Sequence, residues 1–315
     1  NKQNTKYSMS GFLMMIKTNQ QRQVKKVFEN HANKWFKKAS KNEKNSINII
    51  KQRNHFVEET ARNLLKKVDK TLDVGCGSGD LVLALQKAKF DAYGIDFARS
   101  MIKKATLRAN RLGLDTEKFS TISFFDYKTD LKFKMISANG FIEYISEQEL
   151  QKFLNDSYDL LGKNGLLVLS SRNRLFNVFS NNSYTHSEIK MSNISELIKE
   201  CIIFNEAKNF QSLLTKKFKS KIHSNLKLHD RKGSDISVDT RYQYTPFQII
   251  EFLKKFKFKP IEICPIHIHL FPTNTRNNPP RLHDYISNYI QNQKNIPTQF
   301  IPQSSSFIIV ARKND

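Results

Sequence analysis

Apolar side chains recur at helical spacing from Val24 to about Lys38, where Val24, Val27, Phe28, His31, Ala32, Trp35 and Phe36 fall on one face. A second such segment, from about Ile47 to Val68, carries Ile50, Val57, Ala61, Leu64 and Leu65. The rhythm then changes. Short apolar runs of strand length (Thr71 to Val74, Asp91 to Ile95, Phe119 to Phe124, Phe133 to Ala138, Leu166 to Ser170) alternate with helical patterns at Leu81 to Ala88, Ala98 to Leu112 and Glu147 to Leu161. Strands separated by helices pair in parallel through right-handed crossovers, so this pattern predicts a doubly wound sheet. Between Arg172 and Tyr244 regularity lapses, apart from a helix expected over Ser192 to Phe204. It resumes at Thr245-Pro246, a helix start in which Thr caps free N–H groups and Pro occupies the first turn. That helix runs through Phe247 to Phe256, followed by a strand from Ile261 to His269, a Pro/Asn-rich excursion from Phe271 to Gln303, and a last strand from Ser306 to Ala311.

The expected architecture is therefore α/β, with a seven-stranded sheet, amino-terminal helices and an insertion after strand five. Residues 1–23 read as a flexible lead-in, 24–68 as a helical segment, 69–175 as the core and 176–244 as the insertion. The remainder, 245–315, completes the core around an excursion at 270–305. An insertion of about 70 residues is too long for an idle loop and reads as a lid over a second substrate.

Composition narrows the class. With 315 residues, 39% of them hydrophobic, and 24 Phe and 10 Tyr, the chain can bury a sizeable core, which excludes disorder throughout. The longest apolar run near the start, Gly11 to Ile16, falls short of both a membrane span and a secretory signal, so a cytoplasmic protein is expected. Cys76, Cys201 and Cys264 are far apart and odd in number, against a disulfide framework or a zinc cage. The net charge of +23 invites a nucleic-acid reading, yet Lys and Asn recur almost everywhere, as a compositional bias would also produce. Two denser stretches, Lys208 to Lys232 and Lys254 to Lys259, keep polyanion binding as an alternative.

Gly75-x-Gly77-x-Gly79 follows a predicted strand and opens a helix. Glycines there permit positive φ and close approach of a ligand to the backbone, and the helix N-terminus adds partial positive charge. Asp96 ends the next strand about twenty residues on, where an acid can accept from both ribose hydroxyls. The third glycine comes one residue too early for a dinucleotide turn, and Asp73 just before it suits a cationic or amino-bearing ligand rather than a phosphate.

These residues resemble the motifs of class I S-adenosylmethionine-dependent methyltransferases. Leu72-Asp73-Val74-Gly75-Cys76-Gly77-Ser78-Gly79 is similar to the family's first motif, and Tyr93 to Met101 to its second strand with the ribose-binding acid. Phe124-Phe125-Asp126-Tyr127 resembles the segment after strand three, where an Asp accepts the adenine amino group. Ser137 to Tyr144 resembles the segment beside the methionine moiety, and Leu160 to Leu167 the turn before strand five. The resemblance covers about Val24 to Leu175 and Thr245 to Lys313. It implies a Rossmann-like fold, S-adenosylmethionine as cofactor, and cofactor contacts at Asp73, Gly75, Cys76, Gly77, Gly79, Asp96, Phe97, Met101, Phe125, Asp126, Asn139 and Gly140. Phe28-x-x-His31-Ala32-x-x-Trp35 with Arg53 is similar to the ubiquinone-biosynthesis O-methyltransferase-like branch, which implies that Arg53 approaches the cofactor carboxylate. The insertion and the segment Phe300 to Phe307 resemble methyltransferases encoded with surface-polysaccharide genes.

Methyl transfer from a sulfonium asks the protein to align the nucleophile and, for a hydroxyl, to remove its proton. His267-Ile268-His269 alternates on a strand and presents both imidazoles to one face, making them the expected catalytic pair. With His283 or Asp284 they could instead hold a metal, but no carboxylate-rich ligand set accompanies them and no metal is expected. Arg172 and Arg174 leave strand five at the carboxyl edge, where this fold binds ligands, and with Tyr184 are the expected substrate residues. The expected acceptor is a small molecule, sugar or glycan, more anionic than neutral, methylated on oxygen. The alternatives are an RNA methyltransferase using the basic insertion and a non-catalytic cofactor-binding domain.

Overall fold

The computed structural model describes residues 19–40, 47–216, 218, 241–273, 280–293 and 295–314. Residues 1–18 of the expected lead-in and much of the Lys208 to Lys232 stretch lie outside the described residues.

Seven strands, β1 (Lys70–Val74), β2 (Asp91–Asp96), β3 (Phe119–Thr121), β4 (Phe133–Ala138), β5 (Leu161–Arg172), β6 (Phe258–Ile268) and β7 (Ser304–Lys313), form one sheet in the order β3-β2-β1-β4-β5-β7-β6. Strands β1 to β5 pair in parallel, as the alternation predicted. β7 is antiparallel to both β5 and β6, so the sheet is mixed. The reason is local to the chain end. Ile268 pairs with Ser304, so the excursion leaves and re-enters the sheet at the same edge, which a reversal can do and a parallel crossover cannot. Pro260 and Pro265 lie in β6, an edge strand, where a missing N–H is tolerated. β3 stops at Thr121, short of the expected end. There the Ser123 hydroxyl accepts from the Phe125 N–H and turns the chain into a 3-10 turn, Phe124–Asp126.

Helices cover both faces. Leu166, Val168, Ile308 and Val310 point to one face, packing with Val57 and Ala61 of α2 (Ile49–Leu64), α3 (Asp80–Lys87) and α4 (Arg99–Arg111). Their neighbours Leu167, Leu169, Phe307 and Ile309 point to the other, packing with α5 (Glu147–Leu160), α8 (Ile194–Glu206) and α10 (Pro246–Lys255). This is the period-two alternation of a sheet buried on both sides, each full burial of a Leu or Phe contributing about 1.5–3 kcal/mol. The amino-terminal helix α1 (Asn19–Ser40) is tied down by Glu29, whose carboxylate accepts from the N–H groups of Arg99 and Ser100 (2.7 and 3.0 Å) and so caps α4.

Three short helices fold where the sequence looked irregular: α6 (Phe176–Ser180), α7 (Ser183–Lys190) and α9 (Phe210–Leu214). Their starts at Asn182 and Asn209 are side-chain caps, accepting from Tyr184 N–H and Ser212 N–H, which in sequence look like ordinary loop residues. Leu197, Phe204, Phe210 and Leu213 of the insertion share one apolar cluster with Phe247, Phe307 and Ile309. The excursion likewise contains α11 (Pro280–Gln291) and a 3-10 helix, Thr298–Gln303.

Candidate active site

β1 delivers the chain into a turn in which Gly75, Gly77 and Gly79 all have positive φ (70, 53 and 78°). Gly75 and Gly77 line a cavity of about 730 Å³ at the carboxyl ends of the parallel strands, on the switch point between β1 and β4. Gly79 does not line it. A Cβ there would stand 2.9 Å from Ala105 Cβ and 2.9 Å from Phe119 Cε1, so its role is to let α3 start against the sheet. Cys76 is buried, and burial pushes its thiol well above the ordinary range, so it stays protonated.

Two buried acids flank the turn. Asp96 accepts from Gly77 N–H at Oδ2 (3.0 Å) and from Ala98 N–H at Oδ1 (2.8 Å). Burial lifts its pKa to about 6 against those two donors. Asp73 Oδ1 accepts from the Ser137 hydroxyl (2.7 Å), and burial lifts Asp73 to about 7, with Asp96 and Asp80 adding repulsion. A cationic ligand beside them would favour the ionised forms.

Arg53, from α2, reaches the cavity and donates from Nη2 to the Ser306 hydroxyl (2.8 Å). Its Nε and the Oδ1 of Asn139 are buried with no hydrogen-bond partner among the described residues. A Cβ at Gly140 would lie 2.9 Å from Arg53 Nη1, so glycine is what admits the guanidinium. The result is an unsatisfied donor and an unsatisfied acceptor on two residues that line the same cavity, and a carboxylate and an ammonium are the groups that would satisfy them. Phe97, Met101 and Phe125 supply apolar wall, joined by Phe28 and Trp35 of α1. Asp126 sits on the same 3-10 turn as Phe125, yet only its neighbours Ser123, Phe124 and Phe125 reach the wall.

The far wall carries two arginines and a carboxylate. Arg172 lines the cavity and pairs through Nε with the buried Glu143 carboxylate (2.5 Å). Arg241, 8% exposed and missed in the sequence reading, lines it as well. It lies in the polar stretch before Thr245-Pro246, where no periodic pattern set it apart from the surrounding basic residues. Tyr184 is also in the wall. Arg174 is not, which corrects its expected place. Its side chain is 1% exposed and forms a two-pronged ion pair with Glu188 (2.8 and 2.9 Å), itself 0% exposed and bonded to Asn177 and Asn193. Successive residues of an extended segment point opposite ways, so Arg172 and Arg174 looked equivalent until the chain turned at Asn173, which bonds instead to the carbonyls of Ile301 and Ser304.

His267 and His269 both line the cavity, with ring centroids 4.1 Å apart. His269 packs on Phe176 (4.4 Å), and His267 Nδ1 is 2.8 Å from the Ser305 hydroxyl.

A family profile described as a methyltransferase domain matches residues 65–227, just over half of the chain. A carboxy-S-adenosyl-L-methionine synthase of Nautilia profundicola is 29% identical over 129 residues, 40% of this chain and 54% of that protein. A ubiquinone biosynthesis O-methyltransferase of Histophilus somni is 30% identical over 130 residues, 40% of this chain and 53% of that protein. The chain thus spans about half the length of the curated relatives it matches. Among solved structures, magnesium protoporphyrin IX methyltransferase from Synechocystis PCC 6803 with bound SAH superposes over 94% of this chain and 100% of its own, with TM-score 0.53 and 13% identity, which speaks to the fold. Glycine turn, paired acids, strand order and family match agree, and the chain belongs to the class I S-adenosylmethionine-dependent methyltransferases.

Proposed function

We propose that the protein transfers a methyl group from S-adenosylmethionine to an oxygen of a small-molecule, sugar or glycan acceptor that carries negative charge. The observation that carries this reading is one cavity that joins the glycine turn and its two acids to a wall of Arg172, Arg241, His267 and His269. When bound, the cofactor supplies a methyl group already activated on a sulfonium. The residues of this chain do the rest. Arg53 and Asn139 hold the amino-acid end through the atoms that otherwise lack partners. Asp96 takes the ribose hydroxyls, its backbone donors keeping the carboxylate oriented. Phe97, Met101 and Phe125 pack the base, and Asp73 adds negative potential beneath the glycine turn. On the opposite side Arg172 and Arg241 attract and orient an anionic acceptor, with Tyr184 beside it, and His267 or His269 accepts the hydroxyl proton.

Calorimetry with S-adenosylhomocysteine tests the cofactor half, and label transfer from methyl-tritiated cofactor to glycan, small-molecule and RNA extracts tests the acceptor half. Binding that is weakened in Asp96→Ala, and label in an alkali-stable ether or an alkali-labile ester of an anionic compound, are the expected results. Label in RNA would move the acceptor to nucleic acid, the role then falling to the basic stretch from Lys208. A second reading is favoured by the carboxy-S-adenosyl-L-methionine synthase relative together with the arginines of the far wall: a carboxylated cofactor as product, the S-methyl group losing a proton and taking carbon dioxide released from a carboxylate donor bound at those arginines. Mass spectrometry of the spent cofactor separates the two, since methyl transfer leaves S-adenosylhomocysteine.

A further inference from the structure

We propose that His267, His269 and His283 bind one divalent transition-metal ion of the zinc type at the acceptor end of the cavity. The site is assembled from distant parts of the chain: two imidazoles from the end of β6 and one from α11. One potential ligand atom from each lies within 4.8 Å of the others. The ring centroids are 4.1, 5.1 and 6.3 Å apart, and Zn–N bonds of about 2.0–2.1 Å require the three nitrogens to draw in to a spacing of about 3.3 Å.

The surrounding structure holds these rings in place in ways that a surface group of histidines would not need. His267 has φ of +55°, the left-handed region, inside a β-strand. Its neighbours Ile266 and Ile268 keep their partners Ser306 and Ser304 on β7, while the His267 N–H is turned away to the side-chain oxygens of Gln52 (3.2 Å) and Gln291 (3.1 Å). Strain of this kind at a non-glycine residue gathers at functional sites. The face of α11 that meets β6 carries His283, Ser287 and Gln291, each four residues after the last, so all three point the same way. Ser287 donates to the Ile268 carbonyl (2.6 Å) and Gln291 to the Pro265 carbonyl (3.0 Å), which fixes α11, and His283 on it, against β6 where His267 lies and after which His269 follows. The Ser305 hydroxyl at His267 Nδ1 is the kind of outer contact that sets the tautomer of a ligating imidazole.

Three neutral nitrogen ligands select zinc, cobalt, nickel or ferrous iron over magnesium or calcium, and they leave the ion its full double positive charge. Because His267 and His269 line the cavity, a remaining coordination position faces the acceptor and takes an oxygen of it; with the ion bound, its charge, and not either imidazole, promotes loss of the hydroxyl proton, so a base role for His267 or His269 belongs to the metal-free protein. That last assignment rests on the methyl-transfer reading; the metal site does not.

The test uses the full chain stripped of metal by chelator. Zinc titrated against a chromophoric competitor, and cobalt followed by its visible absorption, should each show one ion per chain. His269→Ala and His283→Gln should each weaken zinc by at least about 100-fold, more than the loss of an outer partner costs. S-adenosylhomocysteine calorimetry and thermal melting on the same samples report folding separately from metal. Cofactor binding without stoichiometric metal, or equal zinc affinity in wild type and both variants, overturns the metal site and leaves the methyltransferase reading intact. Metal binding without cofactor binding does the reverse.

Discussion

The two ends of the cavity are built in opposite ways. At the cofactor end the chemistry is carried by short contiguous segments, the turn from Asp73 to Gly79 and the strand end at Asp96, with Asp96 held by backbone N–H groups and Asp73 by the Ser137 hydroxyl of the neighbouring strand. At the acceptor end it is carried by side chains that meet only through tertiary contacts, Arg172 with Glu143 and His267 with Gln52 and Ser305, on a scaffold that includes the buried Arg174–Glu188 pair. A change at the first end should therefore alter a ligand and leave the fold. A change at the second should reach the fold before the ligand.

The sharpest break of that contrast is Glu188→Ala. It leaves Arg174 charged and buried without its partner, and removing one member of a buried pair costs about 3–5 kcal/mol, read as a lower urea midpoint. Replacing both with methionine should recover most of that loss, since two apolar groups of similar size avoid the desolvation of an unpaired charge. If the double variant is as unstable as the single, the pair is not what holds the insertion to β5.

Asp96→Ala is the matching test at the cofactor end. Hydrogen bonds to a charged acceptor are worth about 1.5–3 kcal/mol, so S-adenosylhomocysteine affinity should fall by about 10- to 150-fold, and a melt on the same sample reads the separate loss of the bonds from Gly77 and Ala98 N–H. The pH dependence sharpens it. Asp96 has a pKa near 6 and Asp73 near 7, and the ionised forms serve a cationic cofactor, so affinity for S-adenosylmethionine should rise from pH 5 to pH 8. Affinity that is flat across this range would remove the acids from cofactor binding.

How much of this was legible in the sequence follows the same division. The order of elements, the glycine turn and the two acids could be read because each is a local pattern, set by strand and helix periods and by the conformational freedom of three glycines. Arg53 could be reached only through resemblance, since its partner Ser306 lies far along the chain. Arg174 and Arg241 could not be sorted at all. In a polar, basic stretch nothing distinguishes an arginine buried against Glu188 from one lining a cavity, until the turn at Asn173 sends neighbouring side chains to different places.

Arg241→Gln carries a smaller expectation: a rise of about tenfold in the KM of an anionic acceptor, about 1.4 kcal/mol, with S-adenosylhomocysteine affinity unchanged. An equal loss of both would place Arg241 at the cofactor end. The smallest effect concerns Glu200, buried on α8, whose Oε1 accepts from Phe247 N–H (3.0 Å) and whose pKa burial lifts to about 8. The folded state then holds a proton that the unfolded state releases above about pH 4.5, so the contribution to stability is full at low pH and is lost as pH rises towards 8. Glu200→Gln should remove that dependence and raise the melting temperature at pH 8 by about 2–4 °C per kcal/mol gained, with little change at pH 5.

The sequence alone determined the α/β order, the parallel first five strands and the chemistry of the turn between Asp73 and Gly79, because periodicity and backbone conformation act over a few residues. Only the tertiary structure decided that β7 runs antiparallel, that Arg174 is buried and Arg172 lines the cavity, and that His283 of α11 joins His267 of β6 and His269 just beyond it. These outcomes depend on which distant groups share a buried space, where a charge must find its partner or a strand its edge, and no local pattern records that choice.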